Sequence, residues 1–281
     1  MKVVILCGGF GTRMLNETEY RPKPLVDIGG RPILWHIMKL YAHFGFQEFI
    51  LCLGYRGKMI KEYFLNYEAI NNDFTICLGR KNLITYHDSH AEQGFTVTLV
   101  DTGLDTLTGG RIKRIRPFIG NNRFMVTYGD GVSDVNIQKL LAFHLSHGRL
   151  ASMTTVNPFS RFGCVDTAEN NQVLQFQEKG QVDSWVNAGF FVFEPGVFDY
   201  LEGDRQPLEG EPLEKLAADG ALMAYRHRGF FFAMDTPRDH RTLSNMMTEK
   251  DTPWMLWEKT SEQYIPPQSI SEQANHPIAD A

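Results

Sequence analysis

The chain has 281 residues, 43% of them hydrophobic, which is enough to bury the core of one large α/β domain. Its net charge of −5 leaves no basic field for general nucleic-acid binding, so any positive ligand site has to be local, and a small anionic substrate fits better than a polymer. No apolar run approaches the ~20 residues of a membrane span and no basic-then-apolar leader opens the sequence, so no membrane association and a cytoplasmic location are expected.

Val3 to Leu6 is a short, mostly β-branched apolar run that reads as a buried parallel strand. The loop after it, Cys7-Gly8-Gly9-Phe10-Gly11-Thr12-Arg13, is nearly free of side chains and lets backbone N–H groups face an anion. Two phosphate motifs fail here: Met14 stands where the dinucleotide pattern needs a third glycine, and Gly11-Thr12-Arg13 replaces the Gly-Lys-Ser/Thr of a P-loop. A tight strand-to-helix turn with an ordinary surface arginine reads the same residues equally well. In Arg21-Pro22-Lys23-Pro24, prolines on both sides stiffen the backbone of Lys23, which suits a cation aimed at phosphate and also suits an exposed turn.

Pro32 to Phe44 carries Ile33, Ile37, Leu40, Tyr41 and Phe44 at helical spacing, with Gly45 to end it. Strand, helix and strand then alternate: Glu48 to Gly54, a helix over Lys58 to Tyr67, strands at Phe74 to Leu78 and Thr96 to Val100, a helix over Ile112 to Ile119, and a strand at Phe124 to Tyr128. The alternation predicts a Rossmann-like, mostly parallel sheet flanked by helices, with ligands beyond its C-terminal strand ends. The second half is richer in β-type segments: Ser152 to Val156, a hairpin from Cys164 to Lys179 turning at Glu169-Asn170-Asn171, Trp185 to Phe193, and Leu222 to Thr236. Helices are expected over Asn136 to His147, Pro212 to Asp219 and Pro237 to Met247. One domain over 1–257 follows, its first half to about 131, with a polar tail over 258–281.

Cys7, Cys52, Cys77 and Cys164 are scattered singly, the first three in apolar strand-like runs, and read as buried small hydrophobes without metal or disulfide. The histidines form no short metal pair, and no chemistry is assigned to them. Asp130, between two glycines at the end of Phe124 to Tyr128, is a metal-ligand candidate. Asp235, at the end of another apolar run, is a second, although capping the helix at Pro237 is the commoner use of such a residue. Two carboxylates facing a glycine loop, with Arg13 and Lys23 nearby, make a reasonable site for Mg²⁺ and a polyphosphate, and phosphoryl or nucleotidyl transfer needs no Ser/His/Asp arrangement.

Taken together, LCGGFGTRM, RPKPLVDIGGRPILWHIM, LVDTG with LTGGRIKR, TYGDGVSD, FQEK, VNAGFFVF and GFFFAMDTPRD resemble the sugar-1-phosphate nucleotidyltransferases, in their order and spacing, from Met1 to about Trp257. The resemblance is greatest to the cytidylyl branch and implies a GT-A-like α/β fold with a β-rich sugar-binding portion. It also implies CTP and α-D-glucose 1-phosphate as substrates, CDP-glucose and pyrophosphate as products, Mg²⁺ as cofactor, and a homo-oligomer. By the same resemblance Leu6, Cys7, Gly8, Gly9, Phe10, Gly11, Thr12 and Arg13 hold the nucleotide and Lys23 meets its phosphates. Thr106 and Arg111 complete nucleotide binding, and Asp130 and Asp235 hold Mg²⁺. Glu178 and Lys179 meet the sugar phosphate, and Asn187, Ala188 and Gly189 shape the sugar pocket. Arg13, Lys23, Asp130 and Lys179 form the catalytic set. Cys7 stands where alanine is usual and Ala188 where a second glycine is commoner, which bears on sugar identity. Another nucleoside triphosphate, a modified hexose phosphate, or a non-catalytic subunit of the same fold are the alternatives, while a nicotinamide oxidoreductase fails on the glycine pattern.

Overall fold

A computed structural model describes residues 1–14, 18–79, 83–157, 164–167, 169, 172–177 and 184–258. Among the described residues seven strands form the central sheet: β1 (Lys2–Cys7), β2 (Glu48–Leu53), β3 (Thr96–Asp101), β4 (Phe124–Tyr128), β5 (Ala151–Val156), β6 (Val186–Phe193) and β7 (Leu222–His227). Their spatial order is β7-β5-β6-β4-β1-β2-β3. The pairs β4·β1, β1·β2, β2·β3 and β5·β7 are parallel, whereas β6 runs antiparallel to both β4 and β5. Apolar content predicts burial of β6, and it says nothing of strand direction.

Alternation along β1 builds both layers of the core. Val3, Ile5 and Cys7 pack on one face with the helix Ile33–His43 and with Leu243 of the helix Pro237–Glu249. Val4 and Leu6 pack on the other, with Ile112, Ile115 and Ile119 of the helical stretch Thr108–Ile119 and with Leu216 of the helix Glu211–Ala218. The expected helices are present, including Gly57–Leu65 and Ile137–His147. Cys164–Thr167 and Val173–Gln177 pair as the expected antiparallel hairpin.

Two expectations are corrected. Phe74–Ile76 does not join the central sheet; it pairs with Ile84–Tyr86 in a separate antiparallel hairpin, and the residues of both strands are exposed. Cys77 stands just past that strand and is half-exposed rather than buried, because the hairpin has no layer packed over it. Cys7 and Cys52 are buried. The side chain of Cys164 and the tail from 259 onward lie outside the described residues. Among the described residues no helix is long and apolar enough to cross a membrane.

Candidate functional site

The C-terminal ends of β1 and β4 and the segment that follows β3 border one cavity of about 350 Å³, lined by Leu6 to Arg13, Lys23, Pro24, Leu104 to Thr108, Arg111, Tyr128 to Asp130 and Asp235. The glycine loop bends through Gly11, at φ +64°, into a tight turn in which Met14 N–H donates to the Gly11 carbonyl. Thr18, buried beneath, donates its hydroxyl to the same carbonyl at 3.0 Å. Arg13 projects outward, 76% exposed, while Phe10 leans on Tyr55 with ring centroids 5.3 Å apart.

Short main-chain pairings bring the two aspartates together across 105 residues of sequence. Gly131–Ser133 pairs antiparallel with Phe231–Ala233, and Met234 N–H extends this ladder to the Asp130 carbonyl at 2.9 Å. The side chains at 130 and 235 therefore emerge side by side under the glycine loop. The helix that follows is capped by Thr236, whose hydroxyl accepts from Asp239 N–H while the Asp239 carboxylate accepts from the N–H of Thr236, so the capping role foreseen for Asp235 falls to its neighbour.

Lys23 fills the space between the two carboxylates. Its ammonium donates to Asp130 Oδ2 at 2.6 Å and to Asp235 Oδ1 at 2.8 Å, and Arg13 Nη1 lies 3.5 Å from Asp235 Oδ2. Burial on its own would push the lysine pKa down; pairing with Asp130, and then with Asp235, more than offsets this and raises it, so Lys23 is a cation at neutral pH. The prolines beside it form a short 3₁₀ turn over Lys23–Leu25 that fixes where the side chain starts.

Arg111 is buried, and its terminal nitrogens lie 2.7–3.3 Å from the carbonyls of Gly8, Leu53, Gly103 and Leu104 and from Thr102 Oγ1. It ties three strand ends together. A Cβ on Gly8 would fall 2.2 Å from the guanidinium carbon, so only glycine permits this approach. Burial pushes the Cys7 thiol well above its ordinary pKa, with nearby Cys52 and Asp130 adding to the effect, so this cysteine is not a nucleophile.

Of the residues singled out in the sequence, Leu6 to Arg13, Lys23, Thr106, Arg111, Asp130 and Asp235 line the cavity. Asn187, Ala188 and Gly189 do not. Asn187 reaches it through Tyr128, whose hydroxyl accepts from Asn187 Nδ2 at 3.3 Å, and the Ala188 methyl is buried in the fold. Glu178 and Lys179 lie outside the described residues. Two contributors were missed: Leu104 and Asp105 of the wall from Leu104 to Thr108, and Glu209, which accepts from both Tyr128 Oη and Thr108 Oγ1 at 2.6 Å.

Comparison with known proteins places this fold. The family model described as nucleotidyl transferase matches residues 2–236. The chain belongs to the nucleotidyl transferase family. This nucleotidyl transferase is 45% identical over 260 residues to the glucose-1-phosphate cytidylyltransferase of Salmonella typhi, covering 92% of the chain and 100% of the relative. It is 44% identical, with the same coverage, to the probable glucose-1-phosphate cytidylyltransferase of Bacillus subtilis (strain 168). Among solved structures, HddC from Yersinia pseudotuberculosis superposes with a TM-score of 0.64 at 24% identity, covering 89% of this chain and 99% of that one, a likeness of fold.

Proposed function

We propose that this nucleotidyl transferase moves a cytidylyl group from CTP to α-D-glucose 1-phosphate, giving CDP-glucose and pyrophosphate. The convergence of Asp130 and Asp235 on one point beneath the glycine loop carries the reaction class, and the full-length likeness to glucose-1-phosphate cytidylyltransferases supports the substrates. Two carboxylate oxygens within reach of one ammonium are a hard, anionic donor pair that fits Mg²⁺, which commonly takes one or two carboxylates and leaves its other positions to phosphate oxygens and water. Among the described residues no cluster of three or more His, Cys, Asp or Glu offers a fuller cage. When bound there, Mg²⁺ supplies a Lewis acid that draws charge from the phosphate oxygens.

In this reading the backbone of Leu6 to Thr12 seats the nucleotide, with Thr106 beside it and Arg111 holding the loop in shape. Arg13 and Lys23 offset triphosphate charge as the sugar phosphate oxygen attacks the α-phosphorus and the bond to the bridging oxygen breaks toward pyrophosphate. Sugar phosphate is already an anionic nucleophile at pH 7, so no general base is required. Glu178, Lys179 and the Asn187 to Gly189 stretch take the sugar phosphate.

The same reading places the enzyme in the cytoplasm and takes it as a homo-oligomer. Large apolar side chains exposed along the hairpin and the helices Gly57–Leu65 and Tyr67–Asn71 before it, Leu65, Ile70, Leu78 and Leu83 among them, support a covered surface there, which sedimentation velocity tests. The deciding experiment pairs each of four nucleoside triphosphates with several sugar 1-phosphates and reads products by mass. CDP-glucose as the dominant product is expected, and a different dominant product overturns the substrate assignment. Asp130→Asn is expected to lower turnover about 10³-fold with an unchanged melting temperature.

A further inference from the structure

Beyond this assignment, and resting on the reading of Asp130 and Asp235 as Mg²⁺ ligands, we propose that Lys23 is a surrogate cation that keeps metal out of the nucleotide-free enzyme, so that the divalent ion enters only with a polyphosphate. The ammonium donates at 2.6 Å and 2.8 Å to an oxygen of each aspartate, the same two groups the metal needs. Lys23 is largely buried, at 12% side-chain exposure, so water does little to weaken this pairing. With Arg13 3.5 Å from Asp235, two carboxylates face two cations among the described residues, and their formal charges balance. A divalent ion arriving alone meets balanced charge and a carboxylate oxygen of each aspartate already bonded to the ammonium.

A triphosphate changes both terms. Its negative charge turns the neutral cluster into one that favours added cations, and its oxygens offer the ammonium a new partner. The Lys23 backbone is pinned between Pro22 and Pro24, but its side chain keeps four rotatable bonds, and the cavity it borders gives the ammonium room to move toward phosphate. Arg13 does not duplicate this role, since it is 76% exposed and, among the described residues, its ion pair is with Asp235. The stiff turn thus serves a side chain with two alternative anchors, carboxylates when the site is empty of nucleotide and phosphate when it is filled.

Manganese binding followed by loss of the free-ion electron paramagnetic resonance signal tests this on the full chain, with Mn²⁺ as the probe. Without nucleotide, the unaltered protein is expected to hold no tight ion, whereas Lys23→Met, and Lys23→Gln as a second neutral variant, gain one ion per chain with at least tenfold tighter binding. Adding Asp130→Asn to either variant is expected to abolish the gain. Tight Mn²⁺ binding by the unaltered protein without nucleotide overturns the proposal and needs no variant to fold. If the neutral variants gain nothing while Asp130→Asn and Asp235→Asn weaken Mn²⁺ binding in the presence of CTP, the surrogate role fails and the ligand assignment stands. If those aspartate variants leave Mn²⁺ binding with CTP unchanged, the ligand assignment fails and takes this proposal with it.

Discussion

The indole N–H of Trp254 donates to Nδ1 of His36 across 3.2 Å, and the other ring nitrogen of His36, Nε2, lies 3.0 Å from the Ile28 carbonyl. Because an indole N–H only donates, Nδ1 must be the acceptor, so the proton sits on Nε2 and the ring is neutral. Both side chains are about 1% exposed, and the bond fastens Trp254 to the helix Ile33–His43.

Protonating His36 would place an N–H against an N–H. Burial foremost lowers its pKa from 6.5 to about 4, against a smaller opposing pull from the Ile28 carbonyl. A group depressed in this way gives stability that is complete above its unfolded pKa and lost as pH falls through the folded one. Stability should thus decline by about 3 kcal/mol between pH 6.5 and 4 from this residue. Burial likewise lowers His144 and His147, so they act in the same direction. Urea unfolding from pH 8 to 4 checks this: His36→Leu should flatten the slope and cost roughly 2–4 kcal/mol at pH 8, since it orphans the Trp254 N–H and the Ile28 carbonyl. An unchanged slope would refute the depressed pKa of His36.

Gly8 and Arg111 form a second matched pair. Arg111→Met removes the clamp on Gly8, Leu53, Gly103 and Leu104, and should raise the nucleotide KM about tenfold or more while lowering stability by roughly 2–4 kcal/mol. Lysine should not rescue it, because one ammonium lacks the planar fork that spans these acceptors. Gly8→Ala forces a methyl group to within 2.2 Å of the guanidinium carbon and should give a similar defect. Since both changes break one contact, the double variant should fall well short of the sum of the singles. Additive effects in a KM and denaturation series would show that the two residues act separately.

How much of this was legible beforehand depends on the range of the interaction. The glycine loop, the stiff Pro22-Lys23-Pro24 turn and the aspartates at strand ends are local patterns, and all of them meet in the cavity. Hydrophobic period identified β1, β2 and β4 because burial on both faces leaves a continuous apolar run. The same signal misled at Phe74 to Leu78, where apolar residues lie on an uncovered hairpin, and it carried nothing about the antiparallel direction of β6. Glu209 bonding Tyr128, and Arg111 bonding Gly8, join positions 81 and 103 residues apart, and a linear pattern has no term for either.

Tyr128 donates its hydroxyl to Glu209 at 2.6 Å and accepts from Asn187 at 3.3 Å, linking the nucleotide cavity to β6. Burial first, and then the Glu209 carboxylate, raise the phenol pKa, so it stays a donor throughout the neutral range. Tyr128→Phe breaks both bonds but keeps the ring that packs against Phe191. Initial-rate kinetics should show the sugar phosphate KM rising about fivefold with the nucleotide KM nearly unchanged, and stability dropping by about 1 kcal/mol. A larger shift in nucleotide KM would move Tyr128 from the sugar side of the site to the nucleotide side.

The Asp239 carboxylate accepts from the N–H groups of Asp235 and Thr236 and from the Thr236 hydroxyl, so one side chain in the first helical turn fixes the backbone that presents Asp235. Its negative charge also sits at the positive end of the helix Pro237–Glu249. Removing it therefore has two separable effects. Asp239→Ala should cost about 1 kcal/mol through the lost capping box, measured by denaturation. It should also lower turnover about tenfold, because Asp235 must meet its partners within a fraction of an ångström. Asp239→Asn keeps an acceptor oxygen and should restore most of the turnover while remaining less stable than the parent, since the charge at the helix end is gone. Equal turnover in the alanine and asparagine variants would show that Asp239 serves the helix alone.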